Sequence, residues 1–176
     1  MDQKKTGRFI AKMRKQQNLT QRELADSLGV SDKTVSKWEC GIPTNYFDVI
    51  YSVYGIGWTT QLNKTFQHVY SYLKKGGIFV FGWSHPIHKC VSVENGRLIF
   101  SNSYFNEEWY RADMGSKKIM LSNHMLSTYI NALAGSGFVI ETLTEATDRE
   151  RAMAAEHDFG RKALMLPTVF VLRARK

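Results

Sequence analysis

The feature that most constrains this chain is a run of helix start and stop signals between residues 19 and 41. Thr20 and Glu23 have the spacing of a capping box, in which the threonine hydroxyl accepts from the Glu23 backbone N–H and Glu23 reaches back. Gly29 stands where a helix needs a left-handed terminating residue, and Ser31 is placed to cap the next helix. Two helices joined by a short turn containing glycine are predicted, which is a helix-turn-helix.

The apolar positions of this region have the spacing of helix faces that pack on one another. A preceding helix is predicted from Thr6 to Gln17, with Asn18 ending it. Ala25 is small where two helices must approach closely. The side chains predicted to face the small core are Phe9, Ile10, Met13, Leu24, Ala25, Leu28, Val30, Val35 and Trp38.

Basic charge is concentrated in the same region. Residues 1–44 hold nine Lys and Arg against five Asp and Glu, a net +4 in a quarter of a chain whose total is +8. A basic concentration in a small N-terminal unit is the electrostatic footprint of a protein that binds a polyanion.

The sequence of residues 19–41 closely resembles the phage-repressor-like XRE/Cro family. The residues that carry the resemblance are Thr-Gln-x-Glu-Leu-Ala, Leu-Gly-Val-Ser and Thr-Val-Ser-Lys-Trp-Glu, followed by Gly. The resemblance implies duplex DNA as the partner, with the third helix in the major groove. The residues of that helix expected against base edges are Asp32, Lys33, Thr34 and Lys37, with Ser36 on the same exposed side. Lys33 and Thr34 are the candidates for direct base contacts, whereas Lys37 and Gln21 are expected at phosphates.

After Pro43 the pattern changes to that of a mixed α/β unit. An apolar run at 47–52 predicts a buried strand, and residues 61–73 predict an amphipathic helix that ends at Lys-Lys-Gly-Gly. A second buried strand follows at 78–81, and these short links predict a βαβ unit with a parallel pair. Further predicted elements are a hairpin at 91–100 on an Asn-Gly turn, a helix at 126–134, and strands at 138–143 and 168–172.

The order of these elements resembles the C-terminal half of a class I S-adenosylmethionine-dependent methyltransferase that acts on small molecules. The residues that carry this second resemblance are Phe-Asp-Val-Ile-Tyr-Ser with the following Gly-Ile-Gly-Trp, Leu-Lys-Lys-Gly-Gly-Ile-Phe-Val-Phe, and Ala-Gly-Ser-Gly-Phe. The resemblance covers about residues 46–176. In that family the cofactor lies on a Gly-rich loop after the first strand. Here the N-terminal glycines Gly7, Gly29 and Gly41 all lie inside the helix-turn-helix. The family pattern leaves Ser52 and Tyr54 as candidate cofactor contacts.

We therefore expect an α+β protein. A truncated all-α helix-turn-helix unit at 1–44 is followed at 46–176 by a truncated Rossmann-like α/β methyltransferase half-domain. The expected function is sequence-specific binding of duplex DNA by a transcriptional regulator, with no catalytic residues and no cofactor. The alternative is a small-molecule methyltransferase that uses S-adenosylmethionine, with the missing half supplied by another chain.

Two expectations concern the surroundings of the protein. Half a sheet leaves one strand edge unpaired, which favours a homo-oligomer formed through that edge. The polar N-terminus has no signal-peptide stretch, and no apolar run is long enough for a membrane helix, so a cytoplasmic protein is expected.

Three other residue groups have alternative interpretations. His85, His88 and Cys90 are donor types found in metal sites, but Pro86 prevents a helix from presenting the histidines, and no metal is expected. No partner is identifiable for His124 or for His157. The third group is an aromatic segment that contains Tyr104, Phe105, Trp109 and Tyr110, with Glu107 and Glu108 between them. These side chains either line a pocket for a methyl acceptor or pack as part of the core or of a lid, and packing is the favoured interpretation.

Overall fold

The computed structural model describes residues 3–41, 44–114, 117–155 and 158–176. The chain divides into two compact units, Met1–Tyr46 and Phe47–Lys176. The first unit is helical and the second has a mixed sheet with helices, so the predicted α+β class is confirmed. Ile42 and Pro43 at the predicted junction lie outside the described residues, and so does His157.

The first unit contains α1 (Gln3–Gln16), α2 (Gln21–Leu28) and α3 (Asp32–Cys40). The predicted capping box is present, because the Glu23 backbone N–H donates to Thr20 Oγ1 over 3.1 Å and the Thr20 N–H donates to Glu23 Oε2 over 2.6 Å. Gly29 ends α2 with φ +65°, and the Ser31 hydroxyl accepts from the first turn of α3. The local signals of the sequence therefore placed the helix ends correctly, apart from the start of α1.

The predicted inward face of α1 is wrong for two of its three residues. Phe9 is 61% exposed and Met13 is also exposed, whereas Ile10 is half-buried. The other buried or half-buried residues of the described part of α1 are Thr6, Gly7, Ala11 and Arg14. The physical reason is a close approach of two helices: a Cβ on Gly7 would lie 2.5 Å from the main-chain oxygens of Trp38 and Glu39. α1 therefore contacts the end of α3 through its glycine face, and two more predicted core residues, Leu28 and Trp38, are exposed.

The second unit begins with β1 (Phe47–Val53), α4 (Leu62–Tyr72) and β2 (Leu73–Ser84). β1 and β2 pair in parallel, with Tyr51 opposite Val80, so the predicted βαβ unit is confirmed. The Lys-Lys-Gly-Gly run does not end the helix. It belongs to β2, which starts directly after α4, and Gly76 takes a left-handed conformation, φ +77°, inside the strand.

The rest of the unit adds two hairpins, three helices and two strands of the main sheet. The hairpin on Asn95 and Gly96 is present as predicted, and both turn residues have positive φ. The sheet has the order β1-β2-β8-β7, and β8 is antiparallel to both of its neighbours. The elements after β2 are β3 (Val91–Glu94), β4 (Arg97–Phe100), β5 (Tyr110–Met114), β6 (Lys117–Leu121), α5 (Leu126–Gly135), β7 (Val139–Ala146), α6 (Arg149–Ala154), α7 (Asp158–Met165) and β8 (Val169–Arg175).

One face of this sheet forms the core of the second unit. Phe66 of α4 lies with its ring centroid 5.4 Å from that of Phe81, and Tyr129 of α5 lies 5.9 Å from the same ring. Side chains alternate along a strand, so Tyr51, opposite Val80, points to the other face and is 76% exposed. The prediction of β1 as a buried strand is therefore wrong: four of its seven residues are exposed and none is fully buried, because β1 is the outermost strand of the sheet that the described residues form.

None of the helices formed by the described residues is long and apolar enough to cross a membrane.

Candidate functional site

The N-terminal turn of α3 carries the residues predicted to reach base edges. Asp32 and Lys33 are exposed, and the Lys33 backbone N–H donates to the Asp32 carboxylate over 2.7 Å. Thr34 is half-buried, and its hydroxyl lies 2.9 Å from the Ser31 hydroxyl in a hydrogen bond at the helix cap. The Thr34 hydroxyl thus takes part in the helix cap and keeps further hydrogen-bonding capacity, and its methyl group is its apolar part.

The next turn of α3 carries Ser36 and Lys37. Ser36 is half-buried and Lys37 is exposed. The Lys37 ammonium lies 5.1 Å from the centroid of the Tyr46 ring, within the range of a cation–π contact. This contact restricts where the charge of Lys37 stands, while the ammonium keeps its hydrogen atoms available to solvent or to an anion.

Gln21, at the first position of α2, belongs to a polar network that the sequence analysis missed. Its Nε2 donates to Glu39 Oε2 over 2.8 Å. Arg14 donates to both oxygens of the same carboxylate, over 2.5 and 3.0 Å, and to the Leu19 carbonyl oxygen. The side chains of Arg14 and Glu39 are only 11% and 7% exposed. The network joins all three helices, and an amide group has a second hydrogen with which Gln21 can still donate to a ligand.

The network also sets the acidity of Glu39. The hydrogen bonds from Arg14 hold the pKa of the Glu39 carboxyl below its ordinary value of 4.5, against the opposing effect of burial. Glu39 therefore stays ionised under ordinary conditions and fixes the guanidinium and the amide together. The polar network could have been predicted from the opposite charges of Arg14 and Glu39, which lie on helices that pack against each other.

In the second unit, the two candidate cofactor contacts lie at the carboxyl end of β1. Ser52 is half-buried in the strand, and Tyr54 follows it with φ +51° and an exposed ring. The Tyr54 N–H donates to the Gly82 carbonyl oxygen, and its own carbonyl accepts from the indole of Trp58 over 3.1 Å. The structure thus brings both residues to one end of the sheet, beside the end of β2.

A cavity of about 280 Å³ lies at the same end of the sheet, bordered by Tyr54, His88, Arg151 and Phe159 among others. Burial, together with the charge of Lys162, lowers the pKa of His88 to about 4, so its imidazole is neutral. In the part of the chain that the structure describes, His88 Nε2 is buried without a hydrogen-bond partner.

The neighbouring His85 is fully engaged by the protein itself. Its Nδ1 accepts from the Ile87 backbone N–H over 3.2 Å, and its Nε2 lies 2.6 Å from Glu145 Oε1. Cys90 is a buried free thiol whose pKa is raised by burial. Among the described residues, no three His, Cys, Asp or Glu side chains gather where they could hold a metal ion.

The aromatic segment contains a second polar contact that the sequence analysis missed. His124 does have a partner: its Nδ1 lies 2.7 Å from Glu107 Oε2. Tyr104 is half-buried, and its hydroxyl accepts from the Leu126 N–H at the start of α5. Phe105, Trp109 and Tyr110 are exposed, so only Tyr104 fits the favoured packing interpretation.

Comparison with known proteins gives two kinds of match, one to a family model and one to solved structures. Residues 10–44 match a family model described as helix-turn-helix. An S-adenosylmethionine-dependent methyltransferase from Mesorhizobium loti is 28% identical in sequence, with a TM-score of 0.66, over 77% of this chain and 64% of that one. A protein from Listeria monocytogenes, assigned by name to the same enzyme class, is 21% identical, with a TM-score of 0.65 over the same shares.

These matches confirm both resemblances, one to helix-turn-helix proteins and one to the methyltransferase fold with its Rossmann-like sheet. The chain covers 64% of the length of each of the two solved relatives. No curated protein sequence matches it.

Proposed function

We propose that this protein is a transcriptional regulator that binds duplex DNA sequence-specifically through α3. The observation that carries the proposal is the first turn of α3, where Asp32 and Lys33 are exposed while the helix is fixed by a cap at Ser31 and by Glu39. A helix held in this way can enter the major groove with its N-terminal residues against base edges. The helix-turn-helix family match over residues 10–44 supports this docking mode.

The contacts divide into those that specify sequence and those that position the protein. Lys33 is exposed and long enough to donate to O6 and N7 of guanine, and the Thr34 methyl suits an apolar base edge such as the thymine methyl. Gln21 at the N-terminus of α2, and Lys37 on α3, are assigned to phosphates. Asp32 and Ser36 flank these residues on the same helix.

A second candidate function is methyl transfer to a small molecule, and the observation that favours it is the similarity to the Mesorhizobium loti methyltransferase. Its cofactor would be S-adenosylmethionine, contacted by Ser52 and Tyr54. These residues lie at the end of the outermost described strand and supply one wall of such a site, so they do not enclose a cofactor of that size. We therefore favour DNA binding, with residues 47–176 serving structure or association, and an active enzyme would need a second chain to complete the site.

Two titrations on the purified full chain test these proposals. Selection from random duplexes, followed by anisotropy titration, is expected to yield one enriched sequence that binds at least a thousandfold tighter than unrelated DNA. Equal binding to all sequences would contradict sequence-specific regulation. Calorimetric titration with S-adenosylmethionine is expected to give no heat of binding, whereas saturable micromolar binding would restore the enzyme interpretation.

A further inference from the structure

The two lysines of α3 differ in what lies beside their ammonium groups. Lys33 and Lys37 are both exposed. The Lys37 ammonium lies 5.1 Å from the centroid of the Tyr46 ring. In the part of the chain that the structure describes, neither ammonium forms a hydrogen bond or an ion pair, and no ring lies over that of Lys33. Tyr46 therefore restrains the charge of Lys37, and Lys33 has no equivalent restraint among the described residues.

An aromatic ring restrains an ammonium group without neutralising it. The ring face attracts the cation through its quadrupole, and 5.1 Å is within the ~6 Å range of this contact. An ammonium group has three hydrogen atoms to donate, so some remain available to a phosphate oxygen. A carboxylate in the place of the ring would cancel the positive charge and repel DNA. The contact with Tyr46 leaves the full charge of Lys37 available to a polyanion.

The restraint matters because lysine is among the most flexible side chains. Fixing its rotatable bonds on binding costs conformational entropy, and a group that is already held loses less of it. The Tyr46 side chain is 42% exposed, so the ring is partly packed and stays at the surface with the ammonium that it holds. Lys37 can therefore reach a phosphate at a smaller entropic cost than an unrestrained lysine at the same position.

Tyr46 reaches α3 although it follows the end of that helix. α3 ends at Cys40, Gly41 comes next with φ +80°, and Asn45, directly before Tyr46, has φ +53°. Glycine and asparagine are residues that adopt a positive φ readily, and such a conformation redirects the chain. The match to the helix-turn-helix family model ends at residue 44. The ring beside Lys37 is thus supplied by the segment that follows the matched region.

We infer that Tyr46 is a positioning residue for DNA binding, whose ring holds the Lys37 ammonium in place to meet a phosphate of the duplex. Tyr46 acts through Lys37 and strengthens binding to any sequence, because a phosphate contact carries no sequence information. Lys33 is independent of Tyr46. The inference rests on the proposed function, since it requires duplex DNA docked on α3.

The test is a double-mutant cycle on the full chain, measured by anisotropy titration with the enriched duplex and an unrelated one. Tyr46→Leu removes the ring but keeps an apolar side chain, and it is expected to weaken binding to both duplexes by about two- to fivefold. Tyr46→Phe is the matched control, because it keeps the ring and loses only the hydroxyl, and its affinity is expected to be unchanged. Tyr46→Leu is expected to have no effect in the Lys37→Ala background and its full effect in the Lys33→Ala background.

The two backgrounds separate positioning from a merely structural role. If Tyr46 only stabilises the first unit, Tyr46→Leu weakens binding equally in both backgrounds, and that result would overturn the inference. Unchanged binding by Tyr46→Leu would also overturn it, while leaving the proposed function intact. An unaltered chain that binds neither duplex would contradict the proposed function and the inference with it.

One measurement needs no variant and no DNA, so it holds even if Tyr46→Leu does not fold. In proton NMR of the unaltered chain, the ε-methylene protons of Lys37 are expected upfield of those of Lys33, because the Lys37 ammonium lies over the face of the Tyr46 ring. Equal chemical shifts for the two lysines would show that the ring does not hold Lys37, and would overturn the inference.

Discussion

The two units of this protein are held together by different kinds of contact. In the first unit, the buried apolar side chains among the described residues are only Ala25 and Val35, and the helices are joined by the network around Glu39. In the second, a cluster of aromatic rings such as Phe81 and Phe170 fills one face of a sheet. A small helical unit with so little apolar burial depends on individual polar contacts, whereas the larger unit spreads its stability over many rings.

The largest expected effect is a core deletion in the second unit. Phe81 is fully buried among Phe66, Phe79 and Tyr129, so Phe81→Ala is expected to cost about 3–5 kcal/mol of the free energy of unfolding. The core of the first unit offers only smaller side chains to remove: Val35→Ala deletes two methyl groups and is expected to cost about 1.6 kcal/mol at ~0.8 kcal/mol per buried carbon. Hydrogen exchange of amides in each unit measures both costs, and a cost at Val35 as large as that at Phe81 would contradict the contrast.

A smaller effect is expected from closing the gap between α1 and α3. In Gly7→Ala the new methyl would lie 2.5 Å from two backbone oxygens, which cannot move independently of α3. The expected cost is about 1–3 kcal/mol for overpacking. Gly135→Ala is the control, because nothing lies within 4 Å of its Cβ position and alanine favours a helix. Equal thermal midpoints for the two variants would show that α1 does not pack through Gly7.

Local signals explain why part of this structure was predictable from sequence. Thr20, Glu23 and Gly29 act on backbone groups within a few residues of themselves, so their spacing alone placed the ends of α2. The face of α1 was not predictable from its apolar residues, because the contact is made by a glycine and by the charged Arg14. A count of hydrophobic positions gives no weight to either.

Long-range pairing explains what else was missed. The partner of His124 lies 17 residues away, across the hairpin of β5 and β6 that was not predicted from the sequence. The position of β1 at the edge of its sheet likewise depends on the strand order β1-β2-β8-β7, which cannot be predicted from the local sequence of any one strand. The contacts of Ser52 and Tyr54 with a cofactor remain predictions.

A pH effect tests the polar network of the first unit. Because the folded pKa of Glu39 is lowered, its contribution to stability is full above pH 4.5 and is lost as pH falls through the folded pKa. Amides of residues 21–40 are therefore expected to lose protection in acid before those of β2 and β8. Glu39→Gln should lower protection at neutral pH and reduce this acid dependence, and the remainder is expected from Glu23, whose pKa is lowered by its hydrogen bonds with Thr20. A variant with unchanged acid dependence would assign the effect to another carboxyl group.

A milder effect, on association rather than stability, is expected at the outer edge of β1. An unpaired apolar edge strand favours pairing with a second chain, and lysine on such an edge prevents it. Tyr51→Lys places a charge on an exposed position and should convert dimers to monomers in light scattering while leaving the unfolding midpoint unchanged. A control on the opposite edge strand of the sheet is Thr144→Lys on β7, because Thr144 is also exposed. If the unaltered chain is monomeric at all concentrations, the edge is not an interface.

The measurement that tests the central proposal most directly is the salt dependence of DNA binding by Lys33→Ala and Lys37→Ala on the selected duplex and an unrelated one. If α3 enters the major groove, Lys33→Ala reduces preference for the selected sequence by about 5- to 150-fold, the equivalent of about 1–3 kcal/mol. Lys37→Ala weakens binding to both duplexes alike and reduces the slope of log K against log salt by about 1. Affinities unchanged in both variants at low salt would contradict DNA recognition by α3.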